Sequence, residues 1–209
     1  MRFLIADDHS IVRMGLRLML EDKYPLVGID EADNGDSIVE KIKQHEYDLL
    51  VLDFQMPNTD IFDIIGYLLA RKGDSKILIY SMAPEKLYAG KLLKAGARGF
   101  LSKEASNAEL LKAVEVVLSN GIYASEKVKI YSSEESSDKS NAANPFGDLT
   151  EKELGILNYL VQGKNTKEIS NLSNLQMSTI STHKFRIFRK LNVSNMVELI
   201  ELAKEHKIM

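Results

Sequence analysis

The 209-residue chain contains no cysteine, which excludes a disulfide framework, a thiolate zinc site and a cysteine nucleophile together. Long apolar runs are also missing. Leu49 to Leu52 and Ile77 to Tyr80 fall far short of the roughly 20 residues that a membrane span requires. The N-terminus reads Met-Arg-Phe-Leu-Ile-Ala and then meets two aspartates, so no signal-peptide core develops. A cytoplasmic protein without a membrane partner is the expectation. With 12 Gly, 4 Pro, 44% hydrophobic and 27% charged residues, collagen-like, low-complexity and wholly disordered chains are excluded as well.

What is present is unevenly spread. Residues 1–122 carry 15 Lys/Arg against 19 Asp/Glu, and residues 146–209 carry 9 against 7. The front is acidic and the rear mildly basic, which suggests a different partner for each end.

Two textures alternate through the first 120 residues. Apolar runs too short for helices occur at Phe3–Ala6, Leu49–Leu52, Ile77–Tyr80 and Gly99–Leu101, with a weaker one at Val27–Ala32. Several are apolar throughout, as strands buried on both faces should be. Between them lie stripes at helical spacing: Ile11, Met14 and Leu18; Ile61, Ile64, Ile65, Leu68 and Leu69; Leu110, Leu111, Val114, Val117 and Leu118. Strand and helix alternating about five times predict an α/β fold, a five-stranded doubly wound parallel sheet. From Ser132 to Asn144 no large apolar residue occurs, so a flexible linker is expected across 123–146. The domains would then be 1–122 and 147–209. Every later segment has helical spacing, opened by the Thr150–Glu153 capping box and first stopped at Gly163, which predicts a small all-α domain.

The chemistry concentrates at strand ends. Asp7 and Asp8 follow the first strand, Asp53 the third, Ser81 closes the fourth and Lys103 follows the fifth. In an open parallel sheet all of these lie along one edge, where ligands of such folds bind. Three carboxylates brought together repel unless a cation joins them, and hard oxygen ligands suit Mg²⁺. An ammonium and a hydroxyl complete a site for a phosphoryl group, which an aspartate can itself accept.

Residues 1–120 resemble the receiver domain of two-component response regulators. The resemblance is carried by the Asp7-Asp8 pair, Asp53 with Met56-Pro57, Ser81, and Gly96 to Lys103. It implies a flavodoxin-like order of strands and phosphorylation of Asp53 by a histidine kinase. It also implies Mg²⁺ held by Asp8, Asp53 and the Gln55 backbone carbonyl, with Asp7 in support. Lys103 would pair with the phosphoryl group, and Ser81 and Phe100 would form the switch, Phe100 turning inward into space that Ser81 vacates. Core packing is the alternative role for Phe100. Two positions depart from the pattern: Ile61 stands where receivers usually carry Gly, and Glu104 where Pro usually follows the lysine. The first predicts a different loop path; a cis Lys103–Glu104 bond would cost roughly 3–4 kcal/mol.

Residues 149–199 are similar to the LuxR-type helix-turn-helix, which places the whole chain with the NarL/FixJ subgroup. Met177 to Lys190 holds Lys184, Arg186, Arg189 and Lys190 and no acid. On a wheel Ile180, Ile187 and Leu191 share one side, and Ser178, Ser181, Thr182, Phe185 and Arg189 lie roughly opposite. That outer face suits a recognition helix in the major groove of double-stranded DNA. The candidate DNA contacts are Lys167, Thr179, Ser181, Thr182, Lys184, Phe185, Arg186 and Arg189. Phe185 either meets thymine methyl groups or packs on a neighbouring helix, and His183 reads as a structural hydrogen-bonding residue. Gln176 and Ser173 are departures, Gln176 being a poor helix cap. The resemblance further implies a homodimer after phosphorylation, with Val197, Ile200 and Glu201 as contacts; the rival for the apolar pair is core closure.

The leading expectation is therefore a DNA-binding transcriptional regulator switched by phosphorylation, not a turnover enzyme. A phosphorylation-independent regulator with the receiver as a dimerisation module, and a Mg²⁺-dependent phosphohydrolase using Asp53, are the alternatives.

Overall fold

A computed structural model describes residues 1–57, 59–124, 145–173, 175–206 and 208. The chain divides into two compact units, 1–129 and 130–209, and each is described by itself. The expected linker segment Ser132–Asn144 lies outside the described residues.

In the first unit strands and helices alternate strictly: β1 (Arg2–Ala6), α1 (Ser10–Lys23), β2 (Gly28–Ala32), α2 (Gly35–Gln44), β3 (Leu49–Leu52), α3 (Ile61–Arg71), β4 (Ile77–Ser81), α4 (Glu85–Ala95), β5 (Gly99–Ser102) and α5 (Asn107–Leu118). All pairings are parallel and the order is β2-β1-β3-β4-β5. The centre of the sheet is sandwiched between helices, so β3 buries all four residues and β1 four of five. That burial is why these strands are continuous apolar runs. β2 stands at the edge and carries Asp30 and Glu31, which explains its weaker apolar signal.

One expected stripe is wrong. Ile11, Met14 and Leu18 of α1 face solvent at 71%, 54% and 62% exposure, and Leu16 and Leu20 enter the core instead. Val12 and Met19 pack beside Leu16 and Leu20, so a second apolar row is the one buried. Arg13 and Arg17 flank it and both bond Glu31 of β2, at 3.0 and 2.7 Å. The α3 and α5 stripes are buried as expected at Ile61, Ile64, Ile65, Leu68, Leu110, Val114 and Val117.

The receiver-side limit of the expected linker also moves. Tyr123 bridges β5 at Gly99, donating from its amide to the Arg98 carbonyl and accepting from the Phe100 amide. Tyr123 thus extends the first unit.

The second unit is helical where described: α6 (Glu151–Val161), α7 (Thr166–Ser173), α8 (Met177–Leu191) and α9 (Met196–Glu205). Thr150 and Glu153 form the expected capping box, and Gly163 takes φ +79° just past the end of α6, a left-handed turn that suits glycine. The core gathers Leu154, Leu157, Ile169, Ile180, Ile187 and Leu199. Phe146, expected at the end of the linker, is buried here against His206.

Candidate functional site

Backbone hydrogen bonds at the carboxyl ends of the strands set the first site. The Asp7 amide donates to Ala32 O, the Asp53 amide to Ala6 O and the Lys103 amide to Ser81 O, at 3.1, 2.8 and 3.0 Å. Each bond fixes the first residue past one strand beside the end of its neighbour. Asp7, Asp53 and Ser81 are thereby buried, at 1%, 4% and 0% exposure.

Two buried carboxylates side by side need compensation, and Lys103 supplies it. Its Nζ lies 2.6 Å from Asp7 Oδ2 and 2.8 Å from Asp53 Oδ2. Burial alone would lower the lysine pKa; the hydrogen bonds it donates to Asp53 and Asp7 outweigh it, so the group is held above its ordinary value. The other Asp53 oxygen accepts from the Gln55 amide at 3.1 Å. Asp7 Oδ1 accepts from the His9 amide at 2.9 Å.

Asp8 is different. Its Oδ1 is buried and has no hydrogen-bond partner among the described residues, although His9 Nδ1 approaches to 2.8 Å. A buried carboxylate oxygen left without a donor is costly. Ligand atoms of Asp7, Asp8 and His9 lie within 4.8 Å of one another, so this group could hold a metal ion. Of the expected set Asp8, Asp53, Gln55 and Asp7, it contains Asp7 and Asp8, with His9 beside them.

Ser81 Oγ accepts from the Ala83 amide at 3.2 Å, which leaves its proton to donate. Phe100 has no exposed surface. Core packing and an inward-turned ring share this burial. Ile61 begins α3 with ordinary helical backbone, since among the described residues positive φ outside glycine occurs at Asn120 and Asn192 alone. The described peptide bonds are all trans, Lys103–Glu104 included.

The candidate nucleic-acid surface is α8. It buries Ile180, Ile187 and Leu191 and exposes Ser181, Thr182, Phe185, Arg186 and Arg189. Phe185 is 67% exposed, so packing on a neighbouring helix is ruled out. Thr179 and Lys184 are half-buried, and Lys184 Nζ sits 5.4 Å from the Phe188 ring centre. Ser181 and Thr182 donate their hydroxyl protons to carbonyls one turn back, each at 2.9 Å, and keep acceptor capacity for a ligand. Lys167 is exposed on α7. Gln176 makes no side-chain cap, as its chemistry implied.

His183 Nδ1 is buried without a hydrogen-bond partner among the described residues, contrary to the hydrogen-bonding role expected of it. Burial first, and then Arg186, keep its pKa low. Sequence reasoning also missed Lys190, which belongs to the structure rather than the free basic face. It bonds Glu153 Oε2 at 2.6 Å and the Asp148 carbonyl at 3.0 Å. On α9, Val197 is 65% exposed beside exposed Glu201 and half-buried Ile200, while Leu199 and Ala203 close the core. Core closure therefore does not account for Val197.

Comparison with known proteins agrees with both units. Residues 3–115 match the response regulator receiver domain, and residues 148–203 match the luxR family of bacterial regulatory proteins. The chain is 32% identical over 172 residues to the Fimbriae Z protein of Salmonella typhimurium, covering 80% of this chain and 79% of that one. It is 31% identical over 176 residues to the oxygen regulatory protein NreC of Staphylococcus carnosus, covering 81% of each. Its structure is similar to RcsB of Salmonella enterica serovar Typhimurium bound to promoter rprA with the phosphomimetic BeF3⁻, at TM-score 0.72 and 25% identity over 96% of both chains. Buried carboxylates paired with a lysine at a parallel sheet edge, and a basic helix in a unit that is helical where described, thus coincide with two family matches in the same order, and the chain belongs to the two-component response regulators that join a receiver to a LuxR-type DNA-binding domain.

Proposed function

We propose that Asp53 accepts a phosphoryl group from a histidine kinase and that this modification governs binding of duplex DNA through α8. The observation that carries it is Lys103 Nζ held between Asp7 and Asp53. In the transfer, an Asp53 carboxylate oxygen attacks phosphorus, the P–N bond to the donor imidazole breaks, and its electron pair stays with the departing ring nitrogen. Lys103 can pass from the carboxylates to the new phosphoryl oxygens, and Ser81 can donate its free proton there. Asp8, Asp53 and the Gln55 carbonyl, with Asp7 in support, would hold Mg²⁺, which when bound neutralises phosphoryl charge.

The group adds about −1.5 to −2 charge where Lys103 is the one cation within bonding distance of Asp53 among the described residues. Ser81 and Phe100 form the switch, the buried Phe100 ring filling the space that Ser81 vacates as it moves to the phosphoryl group. The chain then acts as a switch rather than a turnover enzyme, a reading supported by Gln55, which stands two residues beyond Asp53 where a phosphohydrolase would need a second acid.

On DNA, Arg186 and Arg189 suit phosphates and guanine edges, Ser181 and Thr182 accept from bases, and Phe185 offers an apolar edge to thymine methyl groups. Thr179 and Lys184 support that face from its flank, and Lys167 reaches phosphate from α7. Val197, Ile200 and Glu201 form the contact with a second copy; a two-fold dimer reads inverted half-sites about one helical turn apart. The test is Asp53→Asn. The wild-type chain incubated with a small phosphodonor should take up one phosphoryl group and bind its operator more tightly, and the variant should do neither. Equal affinity of wild type with and without phosphodonor would refute the proposal.

A further inference from the structure

The segment from Asp53 to α3 carries the Gln55 carbonyl and contains no glycine. Among its described residues, Thr59 has contacts that reach another element. Its Oγ1 accepts from the Gly35 amide at 2.7 Å and donates to the Pro57 carbonyl at 3.0 Å. A single hydroxyl therefore joins the first residue of α2 to the loop beyond the phosphoacceptor. The tie is close: a Cβ built on Gly35 would stand 3.0 Å from Thr59 Oγ1 and 3.2 Å from its Cγ2.

Both flanks of the tie are fixed independently. Asn34 caps α2 through the Ser37 amide at 2.9 Å, which leaves the Gly35 amide to Thr59. Asp60 caps α3 through the Phe62 and Asp63 amides, at 3.0 and 3.4 Å. Beside the α2 start lies a cavity of about 460 Å³ lined by Asp8, Asp33, Asn34, Gly35, Asp36 and Pro57. Its lining thus joins Asp8 of the candidate cation site to Gly35 and Pro57, the two residues whose backbone Thr59 bonds.

We propose that Thr59 is a positioning residue for the divalent-cation site. By tying Pro57 to the start of α2, it sets where the Gln55 carbonyl stands relative to Asp8 and Asp53. Hydrogen bonds from one hydroxyl to two backbone groups do for this loop what a flexible glycine cannot, since they remove alternative loop conformations before the ion arrives. Thr59 touches neither ion nor phosphoryl group. The inference rests on the cation-site reading given above.

The test compares the full-length chain with Thr59→Val, which keeps the shape and loses the hydroxyl, and Thr59→Ser, which keeps the hydroxyl. Each protein, labelled with ¹⁵N, is titrated with Mg²⁺ while the Gly35 and Gln55 amide resonances are followed, and Gly35 amide exchange is measured without metal. Thr59→Val should bind Mg²⁺ about five-fold more weakly, the order expected for losing one net hydrogen bond, and its Gly35 amide should exchange faster. Thr59→Ser should stay within about two-fold of wild type. A wild-type chain with no saturable response would remove the cation-site reading and this inference together. Saturable wild-type binding with an unchanged constant in Thr59→Val would overturn this inference alone, as would a Thr59→Ser variant as weak as Thr59→Val. If Thr59→Val fails to fold, Gly35→Ala serves in its place. Its added Cβ pushes on Thr59 at a position with no positive φ; weakened binding supports the tie, and an unchanged constant overturns it.

Discussion

Replacing Lys103 with Met would strip the only cation bonded to Asp53 among the described residues and leave two carboxylates, 1% and 4% exposed, facing each other. Breaking a buried ion pair from one side costs about 3–5 kcal/mol. The lower end applies here, because the Gln55 amide still bonds Asp53 and the His9 amide still bonds Asp7. About 3 kcal/mol lowers the unfolding midpoint of a domain of this size by about 10 °C. The assay is thermal unfolding with excess chelator, followed by near-ultraviolet tyrosine dichroism. Tyr24, Tyr47, Tyr67, Tyr80, Tyr88 and Tyr123 all report on the first unit. Mg²⁺ at ten times its dissociation constant should restore about 1.4 kcal/mol, since it binds the folded site alone. The double variant Lys103→Met/Asp53→Asn should unfold at a higher temperature than Lys103→Met, because one unpaired charge is gone. A Lys103→Met chain that melts with wild type in chelator, or a double variant that falls equally far, would refute the reasoning. The raised Lys103 pKa also sets a direction: the contribution of this group is complete below the ordinary lysine value and disappears only as pH climbs through the higher folded value.

Three further outcomes follow from the second unit. Lys190→Met should destabilise it by about 2–4 kcal/mol in urea, since Glu153 is 2% exposed and loses its cation, whereas Arg189→Ala should leave stability unchanged and reduce the salt slope of DNA binding by about one. Burial pushes the Glu153 carboxyl up, but the hydrogen bonds from Lys190 and Thr150 prevail and hold it below its usual value. Its stabilisation is therefore complete above the ordinary carboxylate range and is lost as pH falls through the lower folded value; urea midpoints between about pH 6 and 3 should show that loss in wild type and less of it in Lys190→Met. Phe185→Ala, at a 67% exposed position, should change stability by less than about 0.5 kcal/mol and still alter the sequences recovered in a binding-site selection.

Much of the fold is legible in the residues because its strongest signals are local. The inner strands are apolar on both faces, and the α3, α5 and α8 stripes follow helical period. The clustering of Asp7, Asp53, Ser81 and Lys103 is legible for a related reason: each stands at a strand end, and parallel pairing forces such ends together. The failures are long-range. Two apolar rows compete on α1, and the buried one is flanked by Arg13 and Arg17, which bond Glu31, 18 and 14 residues away. Lys190 looks like part of a free basic run until it meets Glu153, 37 residues away. Thr59 is an ordinary loop threonine until its hydroxyl meets Gly35, 24 residues upstream. Phe100 stands where the resemblance puts it, fully buried on β5, a placement that core packing and an inward-turned ring share.

The two borders of the sheet are both closed, by different means. On the β2 side, Asp30 and Glu31 are clasped by Arg2, Tyr47, Arg13 and Arg17, a charged rim that a foreign strand would have to desolvate. On the β5 side, Tyr123 already occupies backbone groups of Arg98 and Phe100. Both margins thus carry features that disfavour strand-by-strand growth from one molecule into the next.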